Sequence, residues 1–361
     1  VYRDRDYKGM SSYGHIRDLK KKELSIDLDT LNPDYEIPDE KKKVVSELKK
    51  SAKAAEKIWL ASDEDREGEA ISWHLCEVLG LDEDKTNRIV FHEITKDAIT
   101  NAIKNPRTVD MNLVQAQQAR QILDRLVGFE LSPVVWQKVP GGKSAGRVQS
   151  PAVRLLVERE REIMKFEGNS QFKVTAIFIH DNQEFKAELN QKFDTEEAAN
   201  EFLNSLKPAE FIVSDISKTP GTRNPAAPFT TSTLQQEANS KLGFSSKATM
   251  ASAQKLYQDG KITYMRTDST ALSSQAVSAA RTQIGELYGS QYVAEKPRVY
   301  ATKNKGAQEA HEAIRPAGDH FRTPSEVKDS LQPVQFKLSE LIWKRTVASQ
   351  MANATGSTAV I

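Results

Sequence analysis

An acidic turn in the first quarter of the chain has the residue types of a divalent-metal site. In SDEDREGE, residues 62–69, the carboxylates of Asp63, Asp65 and Glu67 stand at alternate positions between a predicted strand and a predicted helix. Ligands bind at such strand ends in α/β sheets, and hard carboxylate oxygens suit Mg²⁺. Acidic residues also favour the first turn of any helix, because they complement its dipole. Residues 63–69 contain five acids, more than are required to complement a helix dipole, so a magnesium site is favoured.

A second stretch, DGKITYMRTDST at residues 259–270, places a tyrosine two residues before an arginine. In a half-buried strand alternate side chains share a face, so Ile262, Tyr264 and Arg266 are predicted to point the same way. A phenol and a guanidinium would then meet. An exposed edge-strand arginine, or an arginine stacked on the tyrosine ring, gives the same pattern. This stretch alone favours that simpler alternative.

Two basic segments could follow a phosphate backbone. Residues 137–154 contain four basic residues and no acidic one, and residues 241–266 contain five basic residues and only Asp259 as an acid. The turn PGGKSAGRVQS, residues 140–150, offers backbone N–H groups to phosphates. It lacks the preceding strand of a nucleotide-binding Walker loop and has Gln137 where that loop needs glycine, so ATP use is not expected. An ordinary connection between two solvated helices is the alternative.

These residues need a scaffold, and the sequence pattern predicts one of mixed α and β type. A short apolar strand, the acidic turn and a helix ending at Gly80 are followed by NRIVFHEIT, which repeats the strand-to-helix step. This alternation predicts a parallel α/β unit over residues 1–110. Residues 112–166 have helical periodicity, interrupted by Pro-Gly-Gly.

The C-terminal half alternates between strand and helix signals. Residues 172–180 and 209–217 are predicted strands, with a helix over 195–206 between them. Residues 218–228 are predicted to be a linker, and the chain after it is predicted to be mainly helical. The final GSTAVI has the pattern of a strand that begins without a partner.

Bulk composition narrows the class of protein. With 361 residues, 38% of them hydrophobic and 28% charged, the chain is expected to fold into about two to four units. The single Cys76 excludes a disulfide framework and a multi-cysteine zinc site. No run of about 18 apolar residues is present, so no membrane association and a cytoplasmic location are expected. A net charge of +1 means that any contact with a polyanion is local.

Taken together, four motifs resemble in order and spacing those of the type IA DNA topoisomerases, and most closely the bacterial topoisomerase I group. The similarity extends from SSYGHIRDL, residues 11–19, to the C-terminus. The four motifs are LASDEDREGEAISWHL (60–75), KSAGRVQSPAVRLLVERERE (143–162), APFTTSTLQQEANSKLGFSSKATMASAQKLYQDGKITYMRTDST (227–270) and AQEAHEAIRP (307–316).

This resemblance implies a chemical role for the tyrosine and the acids. Tyr264 would attack a phosphodiester of single-stranded DNA, giving a 5′-phosphotyrosine and a free 3′-hydroxyl, with Arg266 stabilising the phenolate and the phosphoryl charge. Because the covalent link stores the bond energy, ATP is not required. Asp63, Asp65 and Glu67 match the acidic cluster of a Toprim domain, with the two aspartates as principal Mg²⁺ ligands.

Further residues match positions that contact DNA in the family. Their types suit the backbone and sugar more than the bases, so binding to single-stranded and negatively supercoiled DNA is expected to be salt-sensitive and weakly sequence-selective. By itself, His311 would be interpreted as an ordinary helix-surface histidine. The implied DNA contacts are His15, Arg120, Gln121, Arg125, Ser144, Ala145, Gly146, Arg147, Val148, Gln149, Arg266 and His311.

The resemblance also implies a layout that forms part of a toroid, in a protein expected to be a monomer. Four regions are expected: a Toprim α/β domain (1–110), a helical DNA-channel segment (111–168), a β-rich arch (169–225 and 341–361) and a helical domain carrying Tyr264 (226–340). In the family, the first Toprim strand carries a glutamate followed by Pro-Ala-Lys, whereas the first glutamate here is Glu23. The chain is therefore expected to be a fragment that lacks this strand and the C-terminal part of the ring.

Two alternatives remain open. A Toprim nuclease or primase-like enzyme would use the acids alone and would form no covalent intermediate with DNA. A truncated fragment that only binds single-stranded DNA would show salt-dependent binding without cleavage.

Overall fold

A computed structural model describes residues 7–82, 86–300 and 312–361. It divides into two compact units: residues 1–130 with 221–356, and residues 131–220 with 357–361. The regions predicted as the Toprim domain (1–110) and as the tyrosine-bearing domain (226–340) both lie in the first unit. No described helix is long and apolar enough to cross a membrane.

Strands in the described residues are mostly short and pair in twos. The first two pairs and the β5–β6 hairpin have defined registers: β1 with β2 and β5 with β6 are antiparallel, and β3 with β4 is parallel. The strands are β1 (Asp18–Leu19), β2 (Tyr35–Glu36), β3 (Trp59–Leu60), β4 (Asn87–Arg88), β5 (Phe172–His180), β6 (Gln183–Phe193), β7 (Ser217–Arg223) and β8 (Ala354–Val360).

Helices make up most of the remaining regular structure. A π-helical turn, Val127–Leu131, follows the fourth helix, and short 3₁₀ turns occur at Ser290–Tyr292 and Lys328–Ser330. The α-helices are α1 (Asp39–Ala54), α2 (Arg66–Leu79), α3 (Lys96–Lys104), α4 (Met111–Leu126), α5 (Ser132–Lys138), α6 (Gln149–Lys165), α7 (Glu196–Ser205), α8 (Thr231–Leu242), α9 (Ser246–Gln258), α10 (Ser274–Tyr288), α11 (Pro324–Val327) and α12 (Pro333–Ala348).

The N-terminal part of the first unit confirms the predicted strand–helix–strand step. Strands β3 and β4 lie in parallel, and α2 forms the crossover between them. Helix α2 begins where the Asp65 side chain accepts a hydrogen bond from the Gly68 N–H, and it ends at Gly80 in the left-handed conformation. Apolar residues from β3, α2 and α4, including Leu60, Cys76 and Val114, form the core beneath the acidic turn.

The C-terminal part of the first unit is helical, as the sequence pattern predicts. Its largest core gathers apolar side chains from α8, α9 and α12, including Leu234, Leu256 and Leu338. The same core includes Tyr257, Tyr264 and Met265, so the predicted nucleophile belongs to a packed interior.

The strand predicted around Tyr264 is wrong, because its backbone bonds go to two different neighbours instead of to one ladder. The N–H of Thr263 donates to the carbonyl of Arg315 at 2.9 Å, and the N–H of Tyr264 donates to the carbonyl of His92 at 2.8 Å. Both faces are therefore covered: Thr263 and Tyr264 are both buried. The segment is extended and irregular, held between residues 92–94 and 313–318.

In the second unit, β5, β6 and α7 follow the predicted order, with Asp181 and Asn182 at positive φ in the hairpin turn. The strand predicted for residues 209–217 is wrong, because residues 209–216 form no strand. The predicted linker contains β7 instead, which pairs with β8, so GSTAVI does have a partner. A two-stranded ribbon has a free edge on each strand, and this tolerates Pro220, which has no N–H.

Candidate active site

The side chain of Tyr264 meets the acidic turn within the first unit. Its hydroxyl donates a hydrogen bond to Asp65 Oδ2 at 2.6 Å. Arg266 Nη1 lies 3.6 Å from the same carboxylate oxygen. Tyr264 is only 4% exposed, whereas the Arg266 side chain is 58% exposed. The phenol and the guanidinium therefore meet at one aspartate, with the phenol on the buried side and the cation open to solvent.

The surroundings keep the Tyr264 phenol protonated at neutral pH. Burial is the largest cause of a pKa raised well above the ordinary value near 10, and the hydrogen bond to Asp65 and the charges of Asp65 and Asp63 act in the same direction. The positive charge of Arg266 opposes them. Attack by this oxygen therefore requires its proton to leave, and Asp65 is hydrogen-bonded to that proton.

A second tyrosine holds the other aspartate. Tyr257, from the last turn of α9, is hydrogen-bonded to Asp63, and its ring lies against that of Tyr264, with centroids 5.2 Å apart and planes at 67°. Burial and then the negative charge of Asp65 raise the pKa of Asp63, while Arg266, Arg88 and the Tyr257 hydrogen bond lower it. Two phenols thus face two neighbouring carboxylates.

The donor set of Asp63 and Asp65 fits a magnesium ion. The two carboxylates are close enough for the charge of one to raise the pKa of the other, and a divalent cation relieves such repulsion. Mg²⁺ requires few protein oxygens because it keeps several waters. Across residues 7–82, 86–300 and 312–361, no three His, Cys, Asp or Glu side chains are gathered as a metal site. A magnesium ion here would rest on these two aspartates.

Glu67, the third predicted ligand, points to a different group of side chains. Its Oε2 lies 3.3 Å from His15 Nε2 and accepts a hydrogen bond from Gln117 Nε2 at 3.3 Å. Its Oε1 accepts a hydrogen bond from Arg120 Nη1, also at 3.3 Å. The structure therefore brings two predicted DNA contacts, His15 and Arg120, to the start of α2 beside the acidic turn.

Two more predicted DNA contacts lie further along α4 and bind the N-terminal segment. Gln121 donates to Asp18 Oδ1 at 3.0 Å and accepts from the Tyr35 hydroxyl at 3.0 Å. The guanidinium of Arg125 donates to the carbonyl of Lys20 at 3.0 Å. These contacts fasten the segment that includes β1 and β2 against α4.

The glycine-rich run lies in the second unit, whereas Tyr264 lies in the first. Gln149 Nε2 donates to Ser144 Oγ at 3.0 Å, which closes the turn, and the Ala145 N–H donates to Ser132 Oγ at 3.2 Å. Gly146 and Arg147 are partly buried and Val148 is exposed. His311 lies outside the described residues.

Comparisons with known proteins decide the family. The DNA topoisomerase family profile matches residues 108–361, more than half of the chain, and the Toprim domain profile matches residues 2–94. The chain belongs to the DNA topoisomerase family. Its mixed α/β fold includes a Toprim domain, and the acidic turn of Asp63 and Asp65 lies within that matched region.

Two curated relatives from this family carry the name DNA topoisomerase 1. That of Mycolicibacterium smegmatis is 47% identical over 403 aligned residues, covering 99% of this chain and 43% of the relative. That of Streptomyces coelicolor is 47% identical over 395 aligned residues, covering 97% of this chain and 41% of the relative. The chain thus spans less than half the length of these curated relatives.

A solved structure shares the fold. Full-length topoisomerase I from Thermotoga maritima superposes with a TM-score of 0.83 and is 42% identical, over 98% of this chain and 59% of the other. Tyr264 and Asp65 therefore lie in a chain that shares the fold of that topoisomerase I.

Sequence reasoning missed several residues that complete the site. Tyr257 lies seven positions before Tyr264, but only the packing of α9 shows that its hydroxyl reaches Asp63. His92 supplies the carbonyl that accepts from the Tyr264 N–H, and its ring pairs with Glu64 at 2.7 Å. Burial and backbone contacts of this kind leave no periodic signal in a sequence, so these residues could not have been selected from it.

Proposed function

We propose that this chain is the portion of a type IA topoisomerase that cleaves and reseals one DNA strand. The observation that carries the proposal is the 2.6 Å hydrogen bond from Tyr264 to Asp65, because it joins the predicted nucleophile to a predicted metal-binding acid. Arg266 at the same carboxylate supports it, since a cation there is available to the charge of a phosphoryl group.

In the proposed reaction, Tyr264 Oη attacks the phosphorus of a single-stranded phosphodiester and the P–O3′ bond breaks. The tyrosine becomes joined to the 5′-phosphate and the other product ends in a 3′-hydroxyl. The phenolic proton leaves through Asp65, its hydrogen-bond acceptor, and one proton is taken up by the departing 3′-oxygen. Resealing is the reverse step. It needs no ATP, because the phosphotyrosine ester keeps the energy of the broken bond.

Asp63 and Asp65 would hold Mg²⁺, whereas Glu67 would stay with His15 and Arg120. When bound, the ion supplies neutralisation of the scissile phosphate and orientation of the 3′-hydroxyl. Besides the metal ion, the Arg266 side chain would provide a positive charge that stabilises the phosphoryl group.

The DNA would be held mainly through its backbone. The proposed contacts are those predicted by the family resemblance: His15, Arg120, Gln121, Arg125, residues 144–149, Arg266 and His311. Binding through phosphates weakens steeply as salt rises. The substrate proposed is single-stranded DNA within negatively supercoiled DNA, whose relaxation would follow from passage of another strand through the break.

The finer layout is part of the same proposal. Residues 1–110 would form the Toprim domain, 111–168 a helical DNA-channel segment, 169–225 with 341–361 a β-rich arch, and 226–340 the tyrosine domain of a monomeric, partly toroidal, cytoplasmic enzyme. Because Tyr264 and Asp65 are in contact, passage of a strand between them requires these two regions to separate.

A labelled single strand tests the proposal directly. A DNA oligonucleotide labelled at its 3′ end is incubated with the chain and Mg²⁺, denatured and separated by gel electrophoresis. The label is expected to travel with the unsubstituted chain and with the matched control Tyr292→Phe, whose side chain is exposed, and to be lost with Tyr264→Phe.

Each other outcome has a clear meaning. Cleavage that persists in Tyr264→Phe without protein-bound label would refute the tyrosine mechanism and favour a Toprim nuclease. Salt-dependent binding without cleavage by any variant would favour a fragment that only binds single-stranded DNA.

A further inference from the structure

We propose that Arg88 is a positioning residue of this site, whose guanidinium fixes the backbone of the acidic turn and thereby the carboxylates of Asp63 and Asp65. The inference rests on the proposed function, in which those two carboxylates hold Mg²⁺. Arg88 lies at the end of β4, outside the four motifs of the family resemblance, and its side chain is completely buried.

The guanidinium of Arg88 donates hydrogen bonds to backbone carbonyl oxygens of the turn. Nη2 donates to the carbonyl of Asp63 at 2.7 Å, and Nη1 donates to that of Ser62 at 2.8 Å. Nη1 also donates to the carbonyls of Ile89 at 2.6 Å and Leu60 at 3.3 Å. One side chain therefore joins the end of β3, the start of the turn and β4.

A buried carboxylate neutralises Arg88 and sets its orientation. Glu69 Oε2 accepts from Arg88 Nε at 3.1 Å, and both side chains are fully buried. Glu69 in turn accepts from both Nη atoms of Arg107, at 2.7 and 2.9 Å, and from the Asp110 N–H at 2.7 Å. With Nε engaged by Glu69, the rigid fork holds its two Nη atoms against the backbone carbonyls of the strand ends and the turn, including those of Ser62 and Asp63.

Gly68 also confines the turn. A Cβ at this position would lie 2.0 Å from the Asp63 carbonyl oxygen, so the first turn of α2 presses directly on the acidic turn. The Gly68 N–H donates to Asp65 Oδ1 at 2.8 Å, and Ser62 Oγ lies 2.7 Å from Ser72 Oγ. The backbone of the turn is therefore packed against both Arg88 and α2. Loss of the Arg88 contacts should make the backbone that carries Asp63 and Asp65 more mobile.

Lysine provides the sharpest substitution at this position. Arg88→Lys keeps the positive charge beside Glu69, but a single ammonium has three donors and cannot also span the carbonyls of Ser62 and Asp63. The matched control is Arg107→Gln, which removes the other arginine of Glu69 and leaves the turn contacts intact. A purely structural role for the ion pair predicts similar effects from the two variants.

Two measurements on the purified chain separate these roles. Hydrogen–deuterium exchange without metal is expected to be at least about tenfold faster in Arg88→Lys for peptides covering residues 61–68, and unchanged there in Arg107→Gln. Isothermal titration with MgCl₂ is expected to give an affinity about 10–100-fold weaker for Arg88→Lys, as when a group that orients metal ligands is lost. Arg107→Gln is expected to keep the affinity of the unsubstituted chain.

Unchanged exchange and affinity in Arg88→Lys would overturn the proposal, as would equal losses in both variants. Absence of Mg²⁺ binding by the unsubstituted chain would overturn the metal assignment together with this role of Arg88, while the oligonucleotide assay tests Tyr264 separately. Should Arg88→Lys not fold, the guanidinium resonances of Arg88 in the unsubstituted chain give the answer by NMR. They are expected to shift as MgCl₂ is added, and constant resonances would refute the coupling.

Discussion

An ion pair between Glu93 and Arg315 joins the two stretches that hold the Tyr264 segment, residues 92–94 and 313–318, and its removal should loosen their contact. Glu93 follows the His92 carbonyl that binds the Tyr264 N–H. Its Oε2 accepts from Arg315 Nη1 at 3.0 Å and from the Gly318 N–H at 2.9 Å. The informative substitution is Glu93→Gln, because it removes the charge and keeps the shape.

The size of the effect follows from the burial of the pair. The side chain of Arg315 is 5% exposed and that of Glu93 is 16% exposed, so water provides little compensation. A hydrogen bond to a charged group contributes about 1.5–3 kcal/mol. The amide of Gln retains an acceptor for Gly318, and Glu312 still pairs with Arg315, so we expect a loss of about 2 kcal/mol. This corresponds to about a 30-fold larger population in which the two segments are apart.

Hydrogen exchange of the Tyr264 segment measures that population. Peptides covering residues 261–267 should exchange about 10–30-fold faster in Glu93→Gln, because the Tyr264 amide is protected only while it is bonded to His92. The matched control is Glu312→Gln, which removes the other carboxylate of Arg315 but no bond to residues 92–95. Equal exchange in Glu93→Gln and the unsubstituted chain would refute this reasoning, as would an equal rise in both variants.

Three further predictions concern stability. Tyr257→Phe should lower the free energy of unfolding by about 1–2 kcal/mol in urea titrations, because Asp63 loses a hydrogen bond while the ring stays packed; no change would exclude that bond. Against the opposing effect of burial, hydrogen bonds from Arg107 and the charge of Arg88 lower the pKa of Glu69. The contribution of Glu69 to the free energy of unfolding should therefore be present above about pH 4.5 and be lost as the pH falls below it. Acid titration of Glu69→Gln should lack this loss of stability. Burial and then Arg17 lower the pKa of His74 to about 3, so stability should fall as the pH drops from about 6.5 towards 3, and His74→Gln should reduce that slope.

The sequence by itself determined the chemical groups and most of the regular structure around them. Acids at alternate positions after an apolar strand predict a turn suited to a divalent metal, and periodicity and the terminal Gly80 predict the helix that follows. These features are local, because capping, dipole effects and 3.6-residue spacing act within a few residues. The order and spacing of the four motifs also indicated the family.

Only the tertiary structure decided which of these groups meet. Asp65 and Tyr264 form a hydrogen bond although 199 positions separate them, and Glu67 turns away from Asp63 to join His15 and Arg120. The strand predicted around Tyr264 is wrong because alternation does not reveal that the backbone bonds of this extended segment are shared between two neighbours. Arg88 carried no sequence signal, because a buried arginine is selected by carbonyl oxygens that only the folded chain brings around it.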